Sequence, residues 1–161
     1  MSEIGDAIQE KCMAFGDRVI RLNDYLLEQA ASRMYDVRGK KEENRGRGQH
    51  LPSSTFRQTS RVPVYLQSIA NLSNQLLRAG TSIGANNAEA TNAISKADFK
   101  SKSFIALKEA REALYWINML HRNEYLDDKQ YASIYADCEE LVKVFVHRCK
   151  KLNDENNGKE E

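Results

Sequence analysis

The residues of this 161-residue chain that could do chemistry are three cysteines, three histidines and scattered carboxylates. Their spacing assembles no reactive site. Cys12, Cys138 and Cys149 are an odd set at wide intervals, with no C-x-x-C pair and no histidine at ligand spacing from a cysteine pair. His50 lies in a polar stretch and His121 at the end of a helical segment. His147 and Cys149 are i and i+2 on another helix, so they do not share a face and make a poor metal pair. Glu89, Glu109 and Glu112 could suggest a di-iron carboxylate cluster, but that site needs an E-x-x-H signature that the chain lacks. The expectation is a non-enzymatic protein with no catalytic residue, metal or cofactor, whose thiols stay reduced in the cytoplasm.

A different chemistry is offered by the segment at about 33–61. Arg33, Arg38, Lys40, Lys41, Arg45, Arg47, Arg57 and Arg61 outnumber Asp36, Glu42 and Glu43 there, although the whole chain carries a formal charge of only +1. Gly39, Gly46, Gly48 and Pro52 punctuate it, and it has no apolar period. A long loop inside a compact domain is usually functional or disordered. Two readings are open: a solvated linker, or a flexible basic arm that contacts phosphates.

These residues must be carried by helices. With 41% hydrophobic and 29% charged residues and two prolines, the composition suits one soluble helical domain. Ile4, Ile8, Cys12, Phe15, Val19, Leu22 and Leu26 step by three or four, which predicts a first amphipathic helix. A second runs from about Pro63 to about Asn92, striped by Tyr65, Ile69, Leu72, Leu76, Ala79 and Ile83, with Pro63 suited to a first turn. Phe99, Ala106, Ala110, Ala113, Ile117 and Leu120 form the seam of a third, entered through Ser95 and Asp98 as an acidic variant of a cap. Trp116 flanks that seam and is expected to be largely sequestered. The fourth repeats through Tyr131, Ile134, Cys138, Leu141, Phe145, Cys149 and Leu152, capped by Asp127 or Asp128. Lys143, Arg148, Lys150 and Lys151 suit its C-terminal end. Short links after the second and third helices make successive helices antiparallel. The expected architecture is all-α: an up-and-down four-helix bundle over 1–152, including the basic insertion at about 33–61, with a polar tail at 153–161. The acidic N-terminus lacks the features of a signal peptide, and no apolar run approaches a membrane span, so a cytoplasmic protein is expected.

The stretch from Gln75 to Ala90 is the most informative. Gly80 and Gly84 sit one turn apart among Ala79, Ala85 and Ala88, and each helical glycine costs about 1 kcal/mol against alanine. That cost implies a compensating close contact with another helix. Arg78, Ser82, Asn86 and Glu89 line one side, read as a network between helices or subunits, or as a ligand site.

This stretch, with Ser95-Lys96-Ala97-Asp98-Phe99, Ile105-Ala106-Leu107-Lys108-Glu109-Ala110 and Tyr115-Trp116-Ile117, closely resembles the "four helix bundle protein" family. Its founding members are encoded in intervening sequences of bacterial large-subunit rRNA genes. The likeness reaches back to Phe15-Gly16-Asp17-Arg18-Val19-Ile20-Arg21-Leu22 and forward, more weakly, through the fourth helix. Asn87 stands where the family usually has isoleucine, and the basic insertion replaces a short link. The resemblance implies a homopentameric ring without enzymatic activity. The accessory variability determinant proteins of diversity-generating retroelements are similar in fold and assembly, which implies nucleic acid and a reverse transcriptase as partners.

The function expected is a homo-oligomeric RNA- or DNA-binding accessory protein, with a reverse transcriptase as a further partner. The alternative is a purely structural or protein-interaction ring. Phosphates would meet Arg38, Lys40, Lys41, Arg45 and Arg47 first, and Arg57 and Arg61 second. Arg78, Gly80, Ser82, Gly84, Asn86 and Glu89 would serve helix packing or assembly.

Overall fold

The structure is a computed structural model that describes residues 3–45 and 64–157. Four helices follow one another: α1 (Glu3–Arg45), α2 (Val64–Thr91), α3 (Lys96–Arg122) and α4 (Asp128–Asn157). Each packs on its neighbour in the chain and α1 closes on α4, giving the up-and-down four-helix bundle.

Local signals at the helix ends explain the short turns. Ser95 is the N-cap of α3: its Oγ accepts from the Asp98 N–H at 3.1 Å, while Asp98 Oδ2 accepts from the Ile94 N–H at 3.2 Å. Asp127 caps α4 in a fully reciprocal pair, its Oδ1 accepting from the Gln130 N–H at 2.7 Å and the Gln130 Oε1 from the Asp127 N–H at 3.1 Å. At the end of α3, Glu124 sits at φ 61° so that its N–H reaches the His121 carbonyl and the Tyr125 N–H reaches that of Leu120. This is the pattern that usually takes glycine.

Two boundaries differ from expectation. The segment read as an irregular insertion from Arg33 is helical through Arg45, and Pro63, Arg47, Arg57 and Arg61 lie outside the described residues. The absence of an apolar period there was a poor guide. Arg, Lys, Met and Glu carry good helix propensity, and a helix already nucleated by packing extends at little cost. For the same reason α4 runs to Asn157, into the polar stretch read as tail.

The core is filled by Phe15, Val19, Leu76, Ile83, Ile117 and Phe145, all nearly inaccessible. Ala106, Ala110 and Ala113 give α3 a thin buried face that lets its neighbours approach. Gly80 does the same on α2: an added Cβ would stand 3.0 Å from Val19 Cγ2 of α1. At Gly84 the same atom would meet Cys12 Cβ at 3.5 Å, an ordinary contact. Trp116 is only half-buried at the margin of the core, and its indole N–H donates to Glu112 Oε1 at 3.0 Å. Its polar edge draws the ring to the water boundary.

Candidate functional site

The start of α1, the end of α2, the start of α3 and the end of α4 meet at one end of the bundle around an open groove of about 1420 Å³. Lys96 and Lys100 of α3 and Lys143, His147, Arg148 and Lys151 of α4 supply its basic lining, and no carboxylate is among the described lining residues. Ile8, Ala90, Ala97, Phe99, Val144 and Leu152 make much of the remainder apolar. Lys143 is held by Glu139 at 2.7 Å. Among the described side chains, which do not include those of residues 1–4, 33–65 and 155–161, no carboxylate pairs with Lys96, Lys100, Arg148 or Lys151. Asp154 enters only beside the groove, in a depression of about 480 Å³ that it shares with His147, Lys150 and Lys151.

Helical spacing explains the arrangement. Lys143, His147 and Lys151 recur every four residues and form an exposed ladder along α4. Val144, Arg148 and Leu152 form the adjacent, half-buried ladder, so a guanidinium lies between two apolar neighbours. The Arg148 guanidinium carbon is 5.6 Å from the centre of the Phe99 ring and 5.1 Å from that of Phe145. Its Nη1–H donates to Asn87 Oδ1 at 2.7 Å. Asn87 is fully buried, and its Nδ2–H donates to Gln9 Oε1 at 2.6 Å. The Gln9 Nε2–H reaches the Gly84 carbonyl at 3.4 Å. One polar chain thus ties α1, α2 and α4 together beneath the groove. Burial lowers the pKa of Arg148.

The residues singled out in the sequence fall elsewhere. Arg38, Lys40, Lys41 and Arg45 ride on α1, and a rise of about 1.5 Å per residue puts Arg38 about 45 Å along the helix from Ile8. Gly80 and Gly84 meet α1. Glu89 pairs with Lys102, and the Asn86 Nδ2–H donates back to the Ser82 carbonyl at 2.8 Å. Arg78 acts on Glu109 of α3, whose pKa is raised by burial first and by Glu112 second. The polar side of α2 therefore runs along α3.

The thiols are buried. Burial pushes Cys12 up to about 11 and Cys138 up to about 12, and raises Cys149. His121 stacks on Tyr131 and meets Asp128 at 2.8 Å. His50 lies outside the described residues. Among those described, no group of three or more His, Cys, Asp or Glu side chains is placed to hold a metal ion, and no helix is long and apolar enough to cross a membrane.

The sequence reading missed the groove because its cations come from two helices that are distant in the chain. One signal was present. Lys96 and Lys100 open α3, where the helix dipole disfavours positive charge.

One surface feature stands apart. Met13, Ile20 and Leu27 recur every seven residues on α1 and remain 56%, 43% and 39% exposed. Gly16 lies between them, and a Cβ there would meet nothing within 4 Å.

Comparison with known proteins gives a consistent result. A solved protein of unknown function from the S23 ribosomal protein family of Bacteroides thetaiotaomicron VPI-5482 is 32% identical, with a TM-score of 0.65. The match covers 91% of this chain and 97% of that one. No curated protein matches. The family model described as 23S rRNA-intervening sequence protein matches residues 49–147, and this chain belongs to that family.

Proposed function

We propose that this protein is a non-enzymatic, oligomeric accessory protein of the cytoplasm that binds nucleic acid, RNA foremost, through its phosphates. The observation that carries this reading is the basic groove at the α4 end, with no carboxylate among its described lining residues. Cations fixed on rigid helices, of which Lys96, Lys100, Arg148 and Lys151 pair with no described carboxylate, attract a polyanion without the ordering cost that a loop would bear. The family's name ties its members to intervening sequences of 23S rRNA, which supports RNA over DNA. The basic residues of α1 and of the segment beyond it add a second contact region. Several copies in a ring would multiply both through avidity. The exposed Met13, Ile20 and Leu27 stripe supports self-association, since its seven-residue repeat matches a helix-to-helix seam. A reverse transcriptase as partner rests on the resemblance to retroelement accessory proteins alone, and co-purification with such an enzyme tests it.

The direct test is fluorescence anisotropy with labelled single-stranded RNA at low salt. The parent protein binds, and Lys96→Glu/Lys100→Glu/Lys151→Glu weakens binding at least about tenfold while the melting temperature holds. Equal affinity for both proteins would remove the groove from the reading. Light scattering tests the ring: an 18.4 kDa species alone at micromolar concentration would dismiss it. If an oligomer forms and no RNA binds, the exposed α1 stripe favours the structural ring instead.

A further inference from the structure

Arg148 is the unusual residue of the groove. A half-buried guanidinium normally meets a carboxylate, because desolvating an unpaired charge is expensive. Here one edge donates to Asn87 and two phenyl rings lie beside it, yet no described carboxylate pairs with it. The chain Gly84 carbonyl–Gln9–Asn87–Arg148 holds the group from beneath, so it is fixed before any ligand arrives. Lys96, Lys100 and Lys151 add positive charge around the same space.

The lining also says what kind of anion fits. A site for inorganic phosphate needs only donors, whereas Ile8, Ala97, Phe99, Val144 and Leu152 offer an apolar surface that such an ion cannot use. An anion with a flat, weakly polar body uses both halves. The groove, at about 1420 Å³, is also larger than the roughly 300–1,000 Å³ of common small-ligand pockets. A duplex keeps its bases stacked inside and could not reach the apolar lining with them, while unpaired nucleotides can.

We propose that the groove is a binding site for unpaired nucleoside phosphates, with Arg148 as the phosphate anchor and the apolar lining as the bed of the base. This deepens the nucleic-acid reading by naming the ligand and the residue that seats it. The shared chemistry has two sources, a free nucleotide and the unpaired stretch of a strand. Arg148 is the better anchor than any of the lysines because its planar fork binds phosphate oxygens two at a time.

The test uses the full chain. Calorimetric titration with adenosine monophosphate, adenosine and inorganic phosphate is joined to anisotropy with a ten-nucleotide single strand and its duplex. Adenosine monophosphate binds at least about tenfold more tightly than either adenosine or phosphate, since only it uses both halves of the groove. The single strand outcompetes the duplex. A strand that binds more tightly than the mononucleotide identifies the polymer as the source, and equal affinity identifies the free nucleotide. Arg148→Lys keeps the charge but loses the fork, and weakens either ligand about tenfold. Lys96→Ala/Lys100→Ala, outside the core, gives the same direction if Arg148→Lys lowers the melting temperature. The proposal is overturned if adenosine monophosphate binds no better than phosphate, or if a folded Arg148→Lys binds as the parent does. Failure of RNA binding with the mononucleotide still bound sinks the nucleic-acid function alone. RNA binding indifferent to Arg148 sinks only this inference.

Discussion

The chain carries two basic regions, and they are built in opposite ways. The first is contiguous: Arg38, Lys40, Lys41 and Arg45 follow one another at the far end of α1, with Arg47, Arg57 and Arg61 beyond the described helix. The second is assembled: Lys96 and Lys100 come from α3 and Lys143, Arg148 and Lys151 from α4, at the other end of the bundle. The contiguous region carries Glu42 and Glu43 among its cations, whereas the assembled one has no carboxylate among its described lining residues. Charge density in a sequence window is thus a poor measure of electrostatic potential. What matters is which charges the fold sets side by side and which counter-ions it keeps away.

The largest expected difference is in binding. Replacing Arg38, Lys40, Lys41, Arg45 and Arg47 by alanine flattens the salt dependence of RNA affinity by up to about 3.5 in slope, about 0.7 for each phosphate of a single strand no longer neutralised. It leaves oligomeric state and melting alone. The groove variant lowers affinity at every salt concentration and abolishes the preference for single strands. Titrations of both proteins between low and moderate salt check this, and identical curves would erase the distinction between the regions.

Stability separates them next. Gly80→Ala forces a Cβ to 3.0 Å from Val19 Cγ2 and pushes α1 away from α2, disturbing the Gln9–Asn87–Arg148 chain as well. A loss of about 1–3 kcal/mol from overpacking exceeds the gain of about 1 kcal/mol in helix propensity. Gly84→Ala meets only an ordinary contact and is neutral or stabilising by up to about 1 kcal/mol. Urea unfolding of the pair reads the contrast.

The thiols probe the bundle alone, since residues 33–61 contain no cysteine. Cys12 and Cys138 are pushed up from 9.0 to about 11 and about 12 in the fold. Above the ordinary value the unfolded chain loses these protons while the folded chain keeps them, so stability falls as pH rises. The loss is about 1 kcal/mol per thiol by about pH 10. Cys12→Ala and Cys138→Ala show shallower declines than the parent when unfolding is followed between about pH 8 and pH 10. Equal slopes would mean that the thiols ionise in the fold.

The smallest effect is at the end opposite the groove. Glu124 holds φ 61° where glycine is at ease. Glu124→Gly stabilises by about 0.5–1 kcal/mol, read as a higher melting temperature, and leaves RNA affinity untouched.

Much of this fold was legible residue by residue. The apolar steps of α1, α3 and α4 match the buried faces, and Ser95, Asp98 and Asp127 work as caps because capping needs only neighbours in sequence. Helix lengths were misjudged at Arg45 and Asn157, where polar residues of good propensity continue a helix that packing began. Trp116 was placed too deep, since a seam-flanking position does not say how far the neighbouring helix covers it. Asn87 stood out only against the isoleucine usual at that place in the family the sequence resembles.

The sequence by itself determined four amphipathic helices and their antiparallel order, because each depends on local periodicity or on short links. Only the tertiary structure decided that Gly80 rather than Gly84 is the tight contact. It also joined Asn87 to Gln9 and Arg148, and brought cations from α3 and α4 around one groove. The physical reason is that helix crossing and rotation are set by the packing of the whole core, and neighbours made across 61 or 78 residues of chain leave no local pattern to read.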